Sequence, residues 1–199
     1  MLSEIMKKKL AKHFQFQDSN GDGFVEKADW ERCAQNLAGI REWAPDSPEY
    51  KDILAKHIDI WTDNWQPADT DGNGKVSKEE YLELAEQLRT GHKPSTNAGL
   101  ADQGEPEEKK SYLDRLHELF NAIFDIIDQD EDGEIMLVDY TNYFKAWGVD
   151  ENLAKDSFAS IDLNGDGILK RMAFVQFGAN FFISQEENEF GNLIFGPLD

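Results

Sequence analysis

The sequence predicts an all-α fold in which four helix-loop-helix units form two pairs, with short β-bridges between the paired loops. Two observations support this. Four 12-residue segments repeat one pattern of Asp, Asn and Gly, and apolar residues recur at helical spacing beside them. We expect one compact globule with the C-terminal tail packed back on the helices.

The four repeats, here called loops 1 to 4, carry oxygen-bearing side chains at alternate positions. Each has Asp at position 1, Asp or Asn at positions 3 and 5, and Gly at position 6. Ca²⁺ takes about six to eight oxygen ligands, and glycine permits the sharp turn around the ion. One such cluster would be an ordinary turn, but four in one register predict cation-binding loops. They are DSNGDGFVEKAD from Asp18, DTDGNGKVSKEE from Asp69, DQDEDGEIMLVD from Asp128 and DLNGDGILKRMA from Asp162.

Position 8 of each loop is aliphatic: Val25, Val76, Ile135 and Leu169. Such side chains suit a short, half-buried strand, so the loops are expected to pair back to back. The stretch after Arg89 is polar and rich in Gly, Pro, Ser and Asn, which is typical of a linker. We therefore predict an N-terminal pair over residues 1–91 (loops 18–29 and 69–80), a flexible linker over 92–109, a C-terminal pair over 110–183 (loops 128–139 and 162–173) and an apolar tail over 184–199.

The flanking segments read as amphipathic helices. Before loop 1 an apolar residue recurs every four positions from Leu2 to Phe14. Before loop 2, Ser47 is a predicted N-cap with Pro48 at the first helical position, and the apolar pattern continues to Trp65. Gly148 is a predicted helix stop after loop 3. The many aromatic residues on these faces are expected to form the core.

Position 12 decides how a loop closes around its ion, because a Glu there can supply both carboxylate oxygens. Loop 2 has Glu80, whereas loops 1 and 3 end in the shorter Asp29 and Asp139. An Asp gives fewer oxygens or a smaller cavity, so loops 18–29 and 128–139 are candidates for exchange of Mg²⁺ against Ca²⁺. Loop 4 has Ala173 at position 12 and Lys170 at position 9, and we expect it to be weak or silent and retained as a strand partner.

The candidate ligands follow from the loop positions. Position 7 contributes a backbone carbonyl, so its side chain is free to vary. At position 9, Glu26 or Ser77 can complete the shell, whereas Met136 offers no suitable oxygen and a water is expected in its place. The predicted metal ligands are Asp18, Asn20, Asp22, Phe24, Glu26 and Asp29 in loop 1, Asp69, Asp71, Asn73, Lys75, Ser77 and Glu80 in loop 2, and Asp128, Asp130, Asp132, Glu134 and Asp139 in loop 3.

The composition indicates cations as partners. The 199-residue chain has a formal net charge of −20, which argues against nucleic acid and anionic membranes. A single cysteine, Cys33, requires no oxidising compartment. Residue 2 is Leu rather than Gly, so a myristoyl anchor is not expected, and no apolar run reaches membrane-spanning length. We expect a monomeric cytoplasmic protein without a membrane anchor.

The whole chain resembles the sarcoplasmic calcium-binding proteins of the EF-hand superfamily and their relatives, calexcitin and bacterial calerythrin. The resemblance rests on four such loops in about this length, a first pair with widely spaced loops, the Asp-closed loop DSNGDGFVEKAD and the apolar tail GNLIFGPLD. It implies a compact protein that buffers cytosolic Ca²⁺ and Mg²⁺, with signalling roles in some members. Which hand is silent varies among these proteins, so the resemblance leaves loop 4 open.

Coelenterazine-binding photoproteins and luciferin-binding proteins look similar in fold. The photoprotein resemblance calls for a His in the last helix, but the histidines here are His13, His57, His92 and His117. Light emission is disfavoured, while a hydrophobic ligand in the aromatic core stays an alternative.

The expected function is a Ca²⁺/Mg²⁺ buffer with about three working hands. The alternative is a calexcitin-like sensor that exposes a hydrophobic surface when Ca²⁺ binds. The chain has four methionines, fewer than a Met-rich target-binding groove would require, which favours the buffer. The sequence contains no nucleophile-elbow or phosphate-loop motif, so we do not expect an enzyme.

Overall fold

The computed structural model describes residues 2–90, 111–128 and 130–198, so the predicted linker 92–109 lies outside the described residues. The predicted all-α architecture is confirmed, because the regular structure consists mainly of helices with one short strand in each loop. In chain order the elements are α1 (Glu4–Gln17), β1 (Phe24–Glu26), α2 (Lys27–Ile40), α3 (Pro48–Ile60), a π-helical turn (Trp61–Trp65), a 3₁₀ turn (Gln66–Ala68), β2 (Lys75–Ser77), α4 (Lys78–Thr90), α5 (Tyr112–Ile127), β3 (Glu134–Met136), α6 (Leu137–Ala146), α7 (Glu151–Ile161), β4 (Ile168–Lys170), α8 (Arg171–Ile183) and a second 3₁₀ turn (Phe190–Leu193).

The loops pair as the aliphatic residues at position 8 predict. Strand β1 runs antiparallel to β2 with Val25 opposite Val76, and β3 runs antiparallel to β4 with Ile135 opposite Leu169. All four side chains are buried. Each bridge therefore joins two helix-loop-helix units through backbone hydrogen bonds and a small apolar contact.

The helix that precedes loop 2 differs from its prediction at its C-terminal end. It begins as expected, with the Ser47 hydroxyl accepting a hydrogen bond from the Tyr50 amide at 3.1 Å and Pro48 at the first position. The α-helix ends at Ile60, however, and Trp61–Trp65 forms a π-helical turn. A π-turn adds a residue to the helical repeat, so a regular 3.6-residue pattern does not extend through it.

Aromatic rings from the two pairs meet in one core. Trp30 of α2 contacts Trp147, which follows α6, with ring centroids 4.9 Å apart and edge to face. Phe16 of α1 contacts Phe144 of α6 at the same centroid distance, also edge to face. The Asn36 amide donates to the Ala146 carbonyl at 2.9 Å. These contacts unite the two pairs in the compact globule that the sequence predicts.

His13 lies buried at the centre of this interior. Its Nδ1 is 2.6 Å from the Tyr81 hydroxyl, and its ring centroid lies 4.6 Å from that of Phe195 in the tail. Burial lowers the pKa of His13 to about 3, so the imidazole is neutral at physiological pH. The cluster therefore packs as an uncharged aromatic centre.

The C-terminal tail packs back on the helices, as predicted. Ile194 and Phe195 are buried, and the tail backbone is held by side chains of the C-terminal pair. The Ser157 hydroxyl donates to the Leu193 carbonyl, and the Tyr140 hydroxyl donates to the Ile194 carbonyl. Phe190 is the exception among the apolar tail residues, because it remains 55% exposed.

Helices α5 and α8 approach closely at a glycine. A Cβ atom on Gly178 would collide with the ring of Phe120, which is fully buried on α5. Cys33 of α2 is also fully buried, and burial raises the pKa of its thiol. Within the described residues, no helix is long and apolar enough to cross a bilayer.

Candidate metal centres

All four loops share one hydrogen bond that sets their shape. In each, the amide of the position-6 glycine donates to Oδ2 of the position-1 aspartate, at 2.9 Å in loops 1, 2 and 4 and 3.1 Å in loop 3. These glycines have φ between 80° and 88°, a region that residues with a Cβ rarely adopt. The Asp and Gly of the motif therefore fix the loop backbone independently of the residue at position 12.

The other ligand positions converge in the same way. In loop 2 the Asn73 amide donates to Asp69 Oδ1 at 3.1 Å and to Asp71 Oδ1 at 3.0 Å. The Lys75 amide in turn donates to Asn73 Oδ1 at 2.8 Å. These bonds turn the side chains of positions 1, 3 and 5 toward a common centre, as a loop that surrounds a cation requires.

Loop 2 has a closing carboxylate already folded into the loop. Glu80 Oε1 accepts hydrogen bonds from the Thr70 amide at 3.1 Å and hydroxyl at 3.0 Å, and Oε2 accepts from the Ser77 amide at 2.9 Å and hydroxyl at 2.8 Å. One oxygen each of Asp69, Asp71 and Glu80 lie within 4.8 Å of one another. Burial raises the pKa of Glu80, but these hydrogen bonds outweigh it and leave the pKa below its ordinary value. The ionised form that a cation needs is thus favoured.

Loop 1 is closed by a shorter and fully buried carboxylate. Asp29 Oδ1 accepts from the Ser19 hydroxyl at 2.9 Å, and Oδ2 accepts from the Glu26 amide at 2.9 Å. The bonds correspond to those from Thr70 and Ser77 to Glu80, so the position-12 carboxylates of loops 1 and 2 lie in matching places.

Loop 3 gathers three carboxylates at positions 1, 3 and 5. Oxygens of Asp128, Asp130 and Asp132 lie within 4.8 Å of one another. Asp128 Oδ1 is buried and has no hydrogen-bond partner within the described residues, which fits an atom that binds a cation. At position 12, Asp139 Oδ2 accepts from the Met136 amide at 3.1 Å. Burial raises the pKa of both Asp128 and Asp139, and a bound cation would oppose that effect.

Loop 4 has the same scaffold without a closing oxygen. The Gly165 amide donates to Asp162 Oδ1 at 3.1 Å, and the Ile168 amide donates to Asp166 Oδ1 at 2.9 Å. Position 12 is Ala173, which contributes no side-chain ligand. The loop therefore keeps its shape and its strand pairing but lacks the position-12 carboxylate that the other three loops have.

Comparison with known proteins agrees with this geometry. Residues 7–86, which contain loops 1 and 2, match the EF-hand domain pair family. The chain therefore contains an EF-hand pair. Calerythrin from Saccharopolyspora erythraea is 24% identical over 172 residues, which cover 85% of this chain and 87% of the relative. Calerythrin and this EF-hand protein are thus alike over most of their lengths.

Solved structures resemble the whole EF-hand protein. Coelenterazine-binding protein from Renilla muelleri, in a Ca²⁺-loaded apo form, has a TM-score of 0.71 and 22% identity, covering 99% of this chain and 100% of that chain. A sarcoplasmic calcium-binding protein from amphioxus has a TM-score of 0.63 and 21% identity, covering 99% of each chain. The fold of the chain is therefore that of sarcoplasmic calcium-binding proteins, as the sequence motifs predict.

Each EF-hand pair carries a cross-strand ion pair next to its ligands. Lys75 Nζ lies 3.2 Å from Glu26 and 3.8 Å from Asp22 in the N-terminal pair. In the C-terminal pair, Lys170 Nζ lies 3.8 Å from Glu134. Both ion pairs join position 7 of one loop to position 9 of the other. The lysine is at position 7 in the N-terminal pair and at position 9 in the C-terminal pair. The predicted position-9 ligand Glu26 is thus also the partner of a lysine.

Sequence reasoning missed the arginines beside the Asp-closed EF-hands. Arg32 Nη1 lies 2.9 Å from Asp29 Oδ1, and Arg41 Nη2 lies 3.9 Å from Asp139 Oδ1. The hydrogen-bond donors to Glu80 in loop 2 are instead neutral groups. The three-residue spacing from Asp29 to Arg32 on one helix could have revealed the first pair. Nothing in the spacing points to the second, because Arg41 reaches loop 3 through the tertiary fold.

Proposed function

We propose that this EF-hand protein binds Ca²⁺ in loops 1, 2 and 3 and acts mainly as a Ca²⁺/Mg²⁺ buffer in the cytoplasm. The observation that supports this most strongly is the closing carboxylate of each loop. The closing carboxylates are Glu80, Asp29 and Asp139. Each accepts a hydrogen bond from the position-9 amide of its own loop, so each carboxylate is held against that loop. The relatives whose names include calcium binding support the same choice of ion. No catalytic role forms part of the proposal.

The two lengths of closing side chain suit different ions. Glu80 directs two oxygens into loop 2, as a Ca²⁺ site with a large coordination number requires. Asp29 and Asp139 are one methylene shorter, and a single oxygen from each would suit the six-coordinate shell of Mg²⁺. Loops 1 and 3 are therefore proposed to exchange the two ions, with loop 2 selective for Ca²⁺.

The shared core favours a buffer over a sensor. A sensor of the calmodulin type opens its helix pairs and exposes an apolar groove. Here the pairs bury their aromatic faces against each other, as Trp30 with Trp147 and Phe16 with Phe144 show. Opening one pair would separate these rings, so a large opening is energetically disfavoured.

A second candidate function, a calcium sensor, is favoured by the surface of the C-terminal pair. At position 11 of loops 3 and 4, Val138 and Met172 are 57% and 83% exposed, whereas loops 1 and 2 have Ala28 and Glu79 there. At position 2 of loop 4, Leu163 is 58% exposed. Exposed apolar groups of this kind can contact a partner protein.

Calorimetric titration with Ca²⁺ tests the proposed sites. We expect saturation at three ions in the unmodified protein and at two in each of the Glu80→Gln, Asp29→Asn and Asp139→Asn variants, because each loses its closing charge. Asp162→Ala in loop 4 is the matched control and should still bind three. A fourth tight site in the unmodified protein, or loss of an ion in the control, would contradict the assignment of loops.

Fluorescence of a hydrophobic dye separates the two functions. A buffer with a closed core should give a small change in dye fluorescence when Ca²⁺ is added. A large Ca²⁺-dependent rise would reject the pure buffer and favour the sensor. Replacing Met172 and Val138 with Glu would then show whether the exposed surface of the C-terminal pair binds the dye.

A further inference from the structure

Arg41 follows helix α2 in the N-terminal pair, yet its side chain lies against loop 3 of the C-terminal pair. Its Nη2 donates to the Ile127 carbonyl at 3.1 Å and lies 3.9 Å from Asp139 Oδ1. The guanidinium also lies over the ring of Trp43, 5.6 Å from the centroid. Ile127 immediately precedes Asp128, so Arg41 contacts loop 3 at the end of its entering helix and at its closing residue.

The position of this guanidinium is energetically costly. Its side chain is only 17% exposed, and its Nε is buried without a hydrogen-bond partner within the described residues. Burial lowers the pKa of Arg41, while the charges of Asp139, Asp130 and Asp128 raise it. An arginine remains charged under such conditions, and a buried charge that lacks full pairing costs free energy. The loop carboxylates offset part of that cost.

A divalent ion in loop 3 would change this balance. The ion would share Asp139 with a positive charge that already lies beside it, and the two cations would repel each other. The repulsion is screened less than at an open surface because the guanidinium is largely buried. Loop 2 differs, since neutral amides and hydroxyls of Thr70 and Ser77 contact its closing carboxylate.

We propose that Arg41 acts as a built-in competing charge that lowers the affinity of loop 3 for divalent ions, so that loop 2 fills first. This inference rests on the proposed function of loops 2 and 3. Because coupling between two sites is reciprocal, an ion in loop 3 also weakens the contact of Arg41 with the C-terminal pair. Arg41 is thus a positioning residue through which the N-terminal pair sets the ion affinity of the C-terminal pair.

The test uses Arg41→Gln, whose amide can still donate to the Ile127 carbonyl while the charge is removed. Proton–nitrogen NMR spectra during a Ca²⁺ titration follow the position-6 glycine amides separately, with Gly133 reporting loop 3 and Gly74 reporting loop 2. We expect the Gly133 midpoint to fall about five-fold, which corresponds to a partly buried charge pair of modest strength. The Gly74 midpoint should stay unchanged.

Three further variants separate charge from structure. Arg41→Met also removes the charge and should tighten loop 3, whereas Arg41→Lys keeps the charge and should retain the original midpoint. Arg115→Gln is the matched control, because Arg115 is exposed on α5 and lies 12 residues before Ile127, about 18 Å along the helix. It makes the same change in net charge far from loop 3 and should leave both midpoints unchanged.

The response of Gly133 in these titrations decides between the proposal and its alternatives. An unchanged or weaker Gly133 midpoint in the neutral Arg41 variants would overturn the proposal, as would equal tightening in Arg115→Gln or tightening in Arg41→Lys. If Gly133 of the unmodified protein did not respond to Ca²⁺ at all, the proposed function of loop 3 would fail and the proposal with it. A response of Gly133 that is insensitive to Arg41 rejects the proposal alone.

Discussion

The two EF-hand pairs use the same backbone scaffold but complete it differently. In both pairs the position-6 glycine bonds to the position-1 aspartate, and an antiparallel bridge joins the loops. The N-terminal pair has a closing carboxylate in both loops, Asp29 and Glu80, whereas the C-terminal pair has Asp139 and Ala173. Loop shape is therefore independent of the residue at position 12, which changes between the pairs without loss of the scaffold.

The largest expected effect is removal of divalent ions. An ion that binds only the folded protein adds roughly 2.7 kcal/mol per site at a concentration of about 100 times its dissociation constant. Three loops would then shift the melting temperature on the order of 20 °C for a chain of this size. Melting curves with and without chelator measure this shift. An unchanged curve would mean that the loops are not stabilising sites.

Restoring the missing carboxylate would remove the main difference between the pairs. Ala173→Glu places a closing residue in loop 4, and we expect a fourth Ca²⁺ to bind, more weakly than in loop 2 because Lys170 occupies position 9. Calorimetry gives the number of ions, and Ala173→Gln is the uncharged control. If the Glu variant still binds three ions, the scaffold of loop 4 is not competent for ion binding.

The exiting helices also differ at one packing position. Gly178 lies seven residues after the first residue of α8. At the equivalent position, seven residues after the first residue of α4, the chain has Ala85. Gly178→Ala should lower the free energy of unfolding by roughly 1–3 kcal/mol, because the added methyl group meets the Phe120 ring in a filled core. Chemical denaturation with Ca²⁺ present measures the change. A gain in helix propensity alone would instead make Gly178→Ala more stable. That result would show that α5 and α8 can separate at little cost.

The smallest expected effect concerns position 4 of the loops. Loops 1, 2 and 4 have Gly there, whereas loop 3 has Glu131 with φ of 57°. Glu131→Gly should raise the stability by up to about 1 kcal/mol, because glycine adopts this conformation without a steric cost. Gly72→Ala in loop 2 is the reverse change and should lower stability. Denaturation midpoints of both variants test the comparison.

The sequence predicted what depends on local pattern. The pairing of Val25 with Val76 and the helix stop at Gly148 both follow from residue type and spacing, and the structure confirms them. The metal ligands stay predictions that the proposed titrations test, and the loop and domain boundaries stay predictions as well. The motif could place the loop side chains because the Asp and Gly residues themselves determine the backbone.

Features that depend on tertiary contacts were not predictable in the same way. The π-turn at Trp61–Trp65 interrupts a continuous apolar pattern without a Pro or Gly inside it. Arg41 reaches loop 3 only because the two pairs pack together, and the exposure of Phe190 depends on how the tail crosses α8.

Burial of Cys33 links the reactivity of its thiol to opening of the N-terminal pair. The chain has one thiol, and it lies fully buried in α2 with a raised pKa, so a thiol reagent can reach it only after the helix leaves the core. The rate of labelling therefore measures how often the N-terminal pair opens. Ions that bind the closed form make opening of the pair rarer. The time needed to label Cys33 would therefore rise with each loop that binds an ion.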